Sequence, residues 1–192
     1  MSRLPSDDRR ALLELARRAI SETVLHNRYL ETPAPLGAEL PAAGVFVTLH
    51  RRGRLRGCIG QLEWIESLQA TVVYCAVAAA MHDPRFSPVS PEELSELEIE
   101  ISVLSRPERI EPSRIEVGRH GLLVMRGRLR GVLLPQVPLQ FNWNAERFLE
   151  ETCRKAGLNK EAWKDPATSV EAFTSEVFSE TEFAVQPRLQ VG

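Results

Sequence analysis

The spacing of apolar positions changes several times along the chain, and each change marks an element. Between Asp7 and Asn27 the residues Leu12, Leu15, Ala16, Ala19 and Ile20 recur at helical spacing, which predicts an amphipathic helix. Ser6 is placed to cap it, and Asp7 and Asp8 suit its positive N-terminal end. The stretch Thr32 to Gly44, with Pro33, Pro35 and Pro41, reads as a connector that ends the helical region. Gly44 to Leu49 is β-branched and aromatic, hence a strand; Gly53 offers a turn, and Arg54 to Gly60 returns as the second arm of a hairpin. A second helix is expected from near Ser67 to His82, with Leu68, Val72, Cys75, Ala76 and Ala79 along one stripe, and Asp83-Pro84 stops it.

Period two is clearest from Glu98 to Val103, where Ile99, Ile101 and Val103 alternate with Glu98, Glu100 and Ser102, predicting a half-buried strand with one wet face. Gly121 to Met125 and Arg128 to Leu134 form a second predicted hairpin around Gly127. Asn144 caps a third helix that runs through Ala156 and stops at Gly157. Val170 to Phe178 reads as a last strand, followed by a loose tail after Glu180. Hairpins in place of repeated βαβ units predict an α+β fold, a largely antiparallel sheet flanked by helices.

Composition narrows the class. At 192 residues the chain is one domain, or at most two closely packed lobes, here residues 1–180 with a tail over 181–192. A content of 43% hydrophobic and 26% charged residues argues against wholesale disorder. The longest apolar run, Ala70 to Met81, is far short of the ~20 residues that span a bilayer. No signal peptide is visible, and Cys58, Cys75 and Cys153 have no metal-type spacing, so a reduced, cytoplasmic protein without metal, cofactor or membrane partner is expected. The formal charge of -2 argues against a general nucleic-acid binder. Only three of the 24 basic residues are Lys, leaving 21 Arg.

The pentapeptide Gly-Arg-Leu-Arg-Gly occurs at Gly53–Gly57 and again at Gly127–Gly131. Strand alternation puts Arg54, Arg56 and Cys58 on one face, and Arg128 with Arg130 on another. Paired guanidiniums at this spacing can present planar forks to a carboxylate or phosphate, or can simply be solvated strand faces in an Arg-rich chain. Gly57 and Gly60 bracket Cys58, so that backbone or ligand can approach closely. Guanidiniums beside this thiol would favour the nucleophilic thiolate; the alternative is a buried, inert cysteine, as expected for Cys75 and Cys153. In His82-Asp83-Pro84-Arg85-Phe86 the Asp83 carboxylate can orient Arg85, accept from a substrate or shape a turn. His50 and His120 are lone histidines beside strand ends.

Leu55-Arg56-Gly57-Cys58-Ile59-Gly60, Asp83-Pro84-Arg85-Phe86 and Leu134-Pro135-Gln136-Val137 together resemble the AMMECR family, also called AmmeMemoRadiSam system protein A. Asn142-Trp143, Phe148-Leu149 and Lys155-Ala156-Gly157-Leu158 extend the resemblance from about Asp8 to Glu180. It implies a two-lobed α+β domain whose signature stretch lines a functional cleft. It also implies a pathway shared with a Memo-type protein and a radical S-adenosylmethionine protein. The matched residues are Arg56, Gly57, Cys58, Gly60, Asp83, Pro84, Arg85 and Phe86, whereas His82 and His120 stand where the family often has an acid. The expectation is a small anionic ligand or modified substrate held by Arg56, Gly57, Gly60, Asp83 and Arg85, with Cys58 as the catalytic or substrate-contacting thiol. The alternative is a non-catalytic adaptor for the two pathway proteins.

Overall fold

The chain forms, in order, α1 (Ser6–His26), β1 (Ala42–Arg51), β2 (Arg54–Gln61), α2 (Leu68–Met81), β3 (Leu97–Ser105), β4 (Glu108–Arg109), β5 (Gly121–Arg126), β6 (Leu129–Leu133), α3 (Val137–Gln140), α4 (Ala145–Lys155), β7 (Ser169–Phe173) and β8 (Ser175–Ser179). The computed structural model describes residues 4–31, 42–63 and 66–183. Most of the proline-rich connector, and the tail beyond residue 183, lie outside the described residues. Helices with antiparallel strand pairs make the α+β class expected from the hairpins, but the strands form two four-stranded sheets rather than one. The chain divides into two compact units.

In the unit that holds residues 44–63, 66–103 and 177–183, together with α1, the sheet order is β2-β1-β3-β8. Ser6 does not cap α1: Pro5 takes the N-cap position without a side-chain bond, and Asp7 and Asp8 supply the negative charge in the first turn. Leu15 and Ala19 of α1 pack on Val73 and Val77 of α2. Ser67 caps α2, its hydroxyl accepting the Ala70 N–H at 3.1 Å. The β1–β2 turn uses Arg52 and Gly53, both at positive φ (52° and 72°), the geometry that matches the twist of a two-residue hairpin. The wet face of β3 is shorter than alternation predicts, because Ser102 is buried along with Ile101, Val103 and Leu104. The chain is anchored directly after β8, at Glu180. Glu180 opens a 3-10 turn, and its carboxylate accepts from Arg17 Nε and from the Ile99 N–H, both at 2.9 Å.

The other unit, residues 104–176, carries the sheet β4-β7-β5-β6. Phe148, Leu149 and Cys153 of α4 pack with Leu122, Val124 and Leu133. Asn144 caps α4 by accepting the Arg147 N–H at 2.8 Å, and the chain leaves the helix through Gly157 at φ 75°. Two expectations change. Arg128 sits in the turn with Gly127 instead of sharing a strand face with Arg130, so the repeated pentapeptide is placed differently in its two hairpins. The last strand is broken at Thr174 into β7 and β8, which join different sheets.

Candidate functional site

The pairing of β1 with β2 slips once. Arg51 and His50 face Arg54 and Leu55, but Leu49 faces Gly57, so Arg56 is an extra residue without a partner. Such a bulge interrupts strand alternation and re-aims a side chain. The predicted common face of Arg54, Arg56 and Cys58 therefore does not run unbroken along the strand. The slip also changes the neighbour of Cys58, which faces Thr48. The Thr48 hydroxyl donates to Cys58 Sγ at 3.3 Å.

Arg56 is held by the protein along its Nε–Nη2 edge, while its Nη1 is buried without a partner. Its Nε donates to Glu93 Oε1 at 2.8 Å and its Nη2 to Glu93 Oε2 at 2.9 Å, a bidentate pair only 12% and 13% exposed. Glu93 also accepts Arg51 Nη1 and the Ser90 N–H, each at 2.9 Å. The Arg56 bonds, outweighing burial, bring the Glu93 carboxyl down to about 2, helped by the Ser90 amide and Arg51. Glu93 in turn raises Arg56 above the usual guanidinium value.

Asp83 forms a second, buried cluster. Its Oδ2 accepts the Cys58 N–H at 2.8 Å, and its Oδ1 accepts the Arg85 N–H at 3.1 Å. The Arg85 side chain closes on the same carboxylate, Nε to Oδ1 at 2.9 Å and Nη2 to Oδ2 at 2.7 Å. Arg85 Nη2 also donates to the Cys58 carbonyl at 3.2 Å. Both backbone groups of Cys58 thus point away from β1 and are taken by Asp83 and Arg85. This clasp satisfies the outer edge of β2, the end strand of its sheet. The Arg85 bonds, outweighing desolvation, hold the Asp83 carboxyl far below the usual carboxylate range, and the two amides add to this. Arg85 is raised first by Asp83, against desolvation, and the neighbouring Cys58 thiol acts in the same direction.

The glycines of the stretch serve packing. A Cβ on Gly57 would stand 2.2 Å from the Ala79 carbonyl oxygen of α2, and one on Gly60 would stand 2.2 Å from the Phe46 ring. The close approach foreseen at these positions is made by the protein's own backbone and by an aromatic side chain, which fill the space a ligand would have needed.

What remains open to a ligand is Cys58 and Arg85. The thiol is half-buried, and the Arg85 side chain is 53% exposed, with its guanidinium 5.5 Å from the Phe86 ring centroid. The thiol accepts the Thr48 hydroxyl, and the Arg85 guanidinium is held at the carbonyl of the same residue. Cys75 and Cys153 are fully buried, and burial pushes the Cys75 thiol up to about 12 and raises Cys153. Arg54 and His82 are exposed, while His120 lies in the other unit. Among the described residues no three His, Cys, Asp or Glu side chains gather as metal ligands, and no helix is long and apolar enough to cross a membrane. Thr48 and Glu93 are the site members that sequence reasoning missed. Ser90-Pro91-Glu92-Glu93 has the spacing of a capping box, a legible sign that Glu93 turns back toward backbone.

The model of the AMMECR1 family matches residues 13–178. Protein TK0174 of Thermococcus kodakarensis is 48% identical over 181 residues, covering 88% of this chain and 88% of its own. A protein of Methanothermobacter thermautotrophicus is 44% identical over 185 residues, covering 92% of this chain and 96% of its own. The crystal structure of protein PH0010 from Pyrococcus horikoshii superimposes with a TM-score of 0.81 at 45% identity, over 88% of this chain and 89% of that one.

Proposed function

Because the chain belongs to the AMMECR1 family, we propose that it works through the thiol of Cys58, which meets a small anionic ligand or modified substrate steered by Arg85. The observation that carries this reading is the Arg85 guanidinium, bound to the Cys58 carbonyl at 3.2 Å yet 53% exposed. A thiol attacks as the thiolate, and an exposed neighbouring cation attracts an incoming anion. Asp83 is the positioning residue: it holds Arg85 in a bidentate grip and the Cys58 amide in the same carboxylate. Arg56 is a positioning residue too: each arginine has its Nε–Nη2 edge taken by a carboxylate, but Arg56 is only 12% exposed whereas Arg85 is 53% exposed. Gly57 and Gly60 let α2 and Phe46 support the strand from which the thiol projects. On family resemblance, the substrate belongs to a pathway shared with a Memo-type and a radical S-adenosylmethionine protein.

A non-catalytic adaptor reading draws on the same geometry, since Arg56, Asp83, Gly57 and Gly60 are all engaged within the chain. Native alkylation separates the two. Cys58 should be modified while Cys75 and Cys153 are spared, and iodoacetate should gain on iodoacetamide relative to 2-mercaptoethanol, as expected where an exposed guanidinium stands near the thiol. Arg85→Gln should remove the gain. A rate ratio equal to that of 2-mercaptoethanol in the wild type would end the thiol reading and leave the adaptor.

A further inference from the structure

The unit formed by residues 104–176 carries a groove of about 880 Å³ beside the edge strand β4, and none of the residues of the Cys58 site lines it. Arg106, Arg109 and Arg114 line this groove, and among the described residues none of the three guanidiniums has an acidic partner. That separates them from Arg119, which is taken up by Glu116 at 3.0 Å. His120 adds a donor. Its Nδ1 accepts the Glu116 N–H at 3.1 Å, so in the neutral imidazole the proton sits on Nε2. Ile110 and Ala172 give the groove an apolar side, and Glu108 is an acid on its lining.

A second depression, of about 680 Å³, shares Arg109, Ile110 and Arg114 with the first. Its lining includes Trp163 and Thr168, and both Trp163 Nε1 and Thr168 Oγ1 are buried without a hydrogen-bond partner. Folded proteins leave few such groups unpaired. Two adjoining hollows, unpaired guanidiniums on their shared wall and orphaned donors beside them are independent signs of a binding site. The first hollow alone is within the usual size of a small-molecule pocket.

We propose that these hollows form one site for a phosphorylated small molecule of nucleotide size, with Arg106, Arg109 and Arg114 as its phosphate ligands and the Ile110 side receiving its less polar body. Guanidinium forks suit phosphate oxygens, and three of them match the charge of a di- or triphosphate. The site is separate from the Cys58 thiol, so either can fail without the other.

The test is calorimetric titration of the full chain with ADP and with inorganic pyrophosphate at constant ionic strength. The Arg109→Gln/Arg114→Gln double variant and hydrogen exchange over residues 106–116 complete it. Both substituted side chains are exposed, so the variant should keep the wild-type melting temperature. ADP should bind more tightly than pyrophosphate, should protect residues 106–116, and should lose affinity by about tenfold or more in the variant, the loss of one to two charge-assisted bonds. ADP should leave the alkylation ratio of Cys58 unchanged. Absence of ADP binding at millimolar concentration would overturn the proposal, as would equal affinity in the variant or protection confined to other segments. Single-stranded RNA bound with a steep salt dependence, and not displaced by ADP, would overturn it in favour of a nucleic-acid surface.

Discussion

Replacing Asp83 by Ala should uncouple Cys58 from its surroundings at a cost that follows from the bonds lost. Asp83 is 4% exposed and accepts two backbone amides, those of Cys58 and Arg85, besides the Arg85 side chain. Hydrogen bonds to a charged acceptor contribute about 1.5–3 kcal/mol each, so the two amides alone account for about 3–6 kcal/mol if they find no water. The Arg85 side chain, half-exposed, adds only the ~0–1 kcal/mol of a surface pair. Some rehydration of the amides brings the expected loss to about 3 kcal/mol. Asp83→Asn should cost about 1–2 kcal/mol, because one amide oxygen can still accept the Cys58 N–H while its NH₂ faces the Arg85 donors. Hydrogen exchange of the Cys58 amide is the assay of choice, because it reads the clasp itself. Protection should fall by about a hundredfold for a 3 kcal/mol loss. A change of less than fivefold in Asp83→Ala would show that the clasp does not hold β2. In a double-mutant cycle, Asp83→Ala and Arg85→Ala together should cost less than the sum of the singles, because both remove one shared interaction.

Gly57→Ala should cost about 2–4 kcal/mol in urea unfolding, since its Cβ would meet a helix carbonyl at 2.2 Å, and Gly60→Ala should cost less because the Phe46 ring can turn aside. Acid should weaken the unit through Glu93 and Asp83. Both folded carboxyls lie below their unfolded values, so their contribution is complete above about pH 4.5 and is lost as pH falls toward the Glu93 value of about 2. Urea midpoints at pH 7, 4 and 2.5 should show this loss, and Glu93→Gln should flatten it. Glu100 works in the opposite sense. Burial raises its folded value, so ionisation costs stability as pH rises past the unfolded value, and Glu100→Gln should be more stable than wild type at pH 7 but equal to it at pH 3.

The elements with strong local signals were legible in the sequence. The first hairpin, the capped helices α2 and α4, and the alternating start of β3 follow from turn glycines, capping residues and period. The division of strands between two sheets was not, because Val170 to Phe178 reads as one apolar run and only long-range pairing breaks it at Thr174. The site shows the same limit. With a two-residue turn at Arg52-Gly53 and no bulge, Cys58 would face Val47; the extra residue at Arg56 shifts its partner to Thr48. One unpaired residue thus decides what hydrogen-bonds the thiol, and no propensity marks it. The arginines divide on a similar point. Arg56 and Arg85 look alike in the sequence, but Glu93 lies close to one and leaves it 12% exposed, while Asp83 leaves the other 53% exposed.

The most direct measurement is the rate of Cys58 alkylation by iodoacetamide as inorganic phosphate replaces chloride at fixed ionic strength and pH. If Arg85 brings anions to the thiol, phosphate should slow the reaction saturably in the wild type and in Arg109→Gln/Arg114→Gln, and should have no effect in Arg85→Gln. The same rate in phosphate as in chloride, or equal slowing in Arg85→Gln, would contradict a thiol site built around that guanidinium.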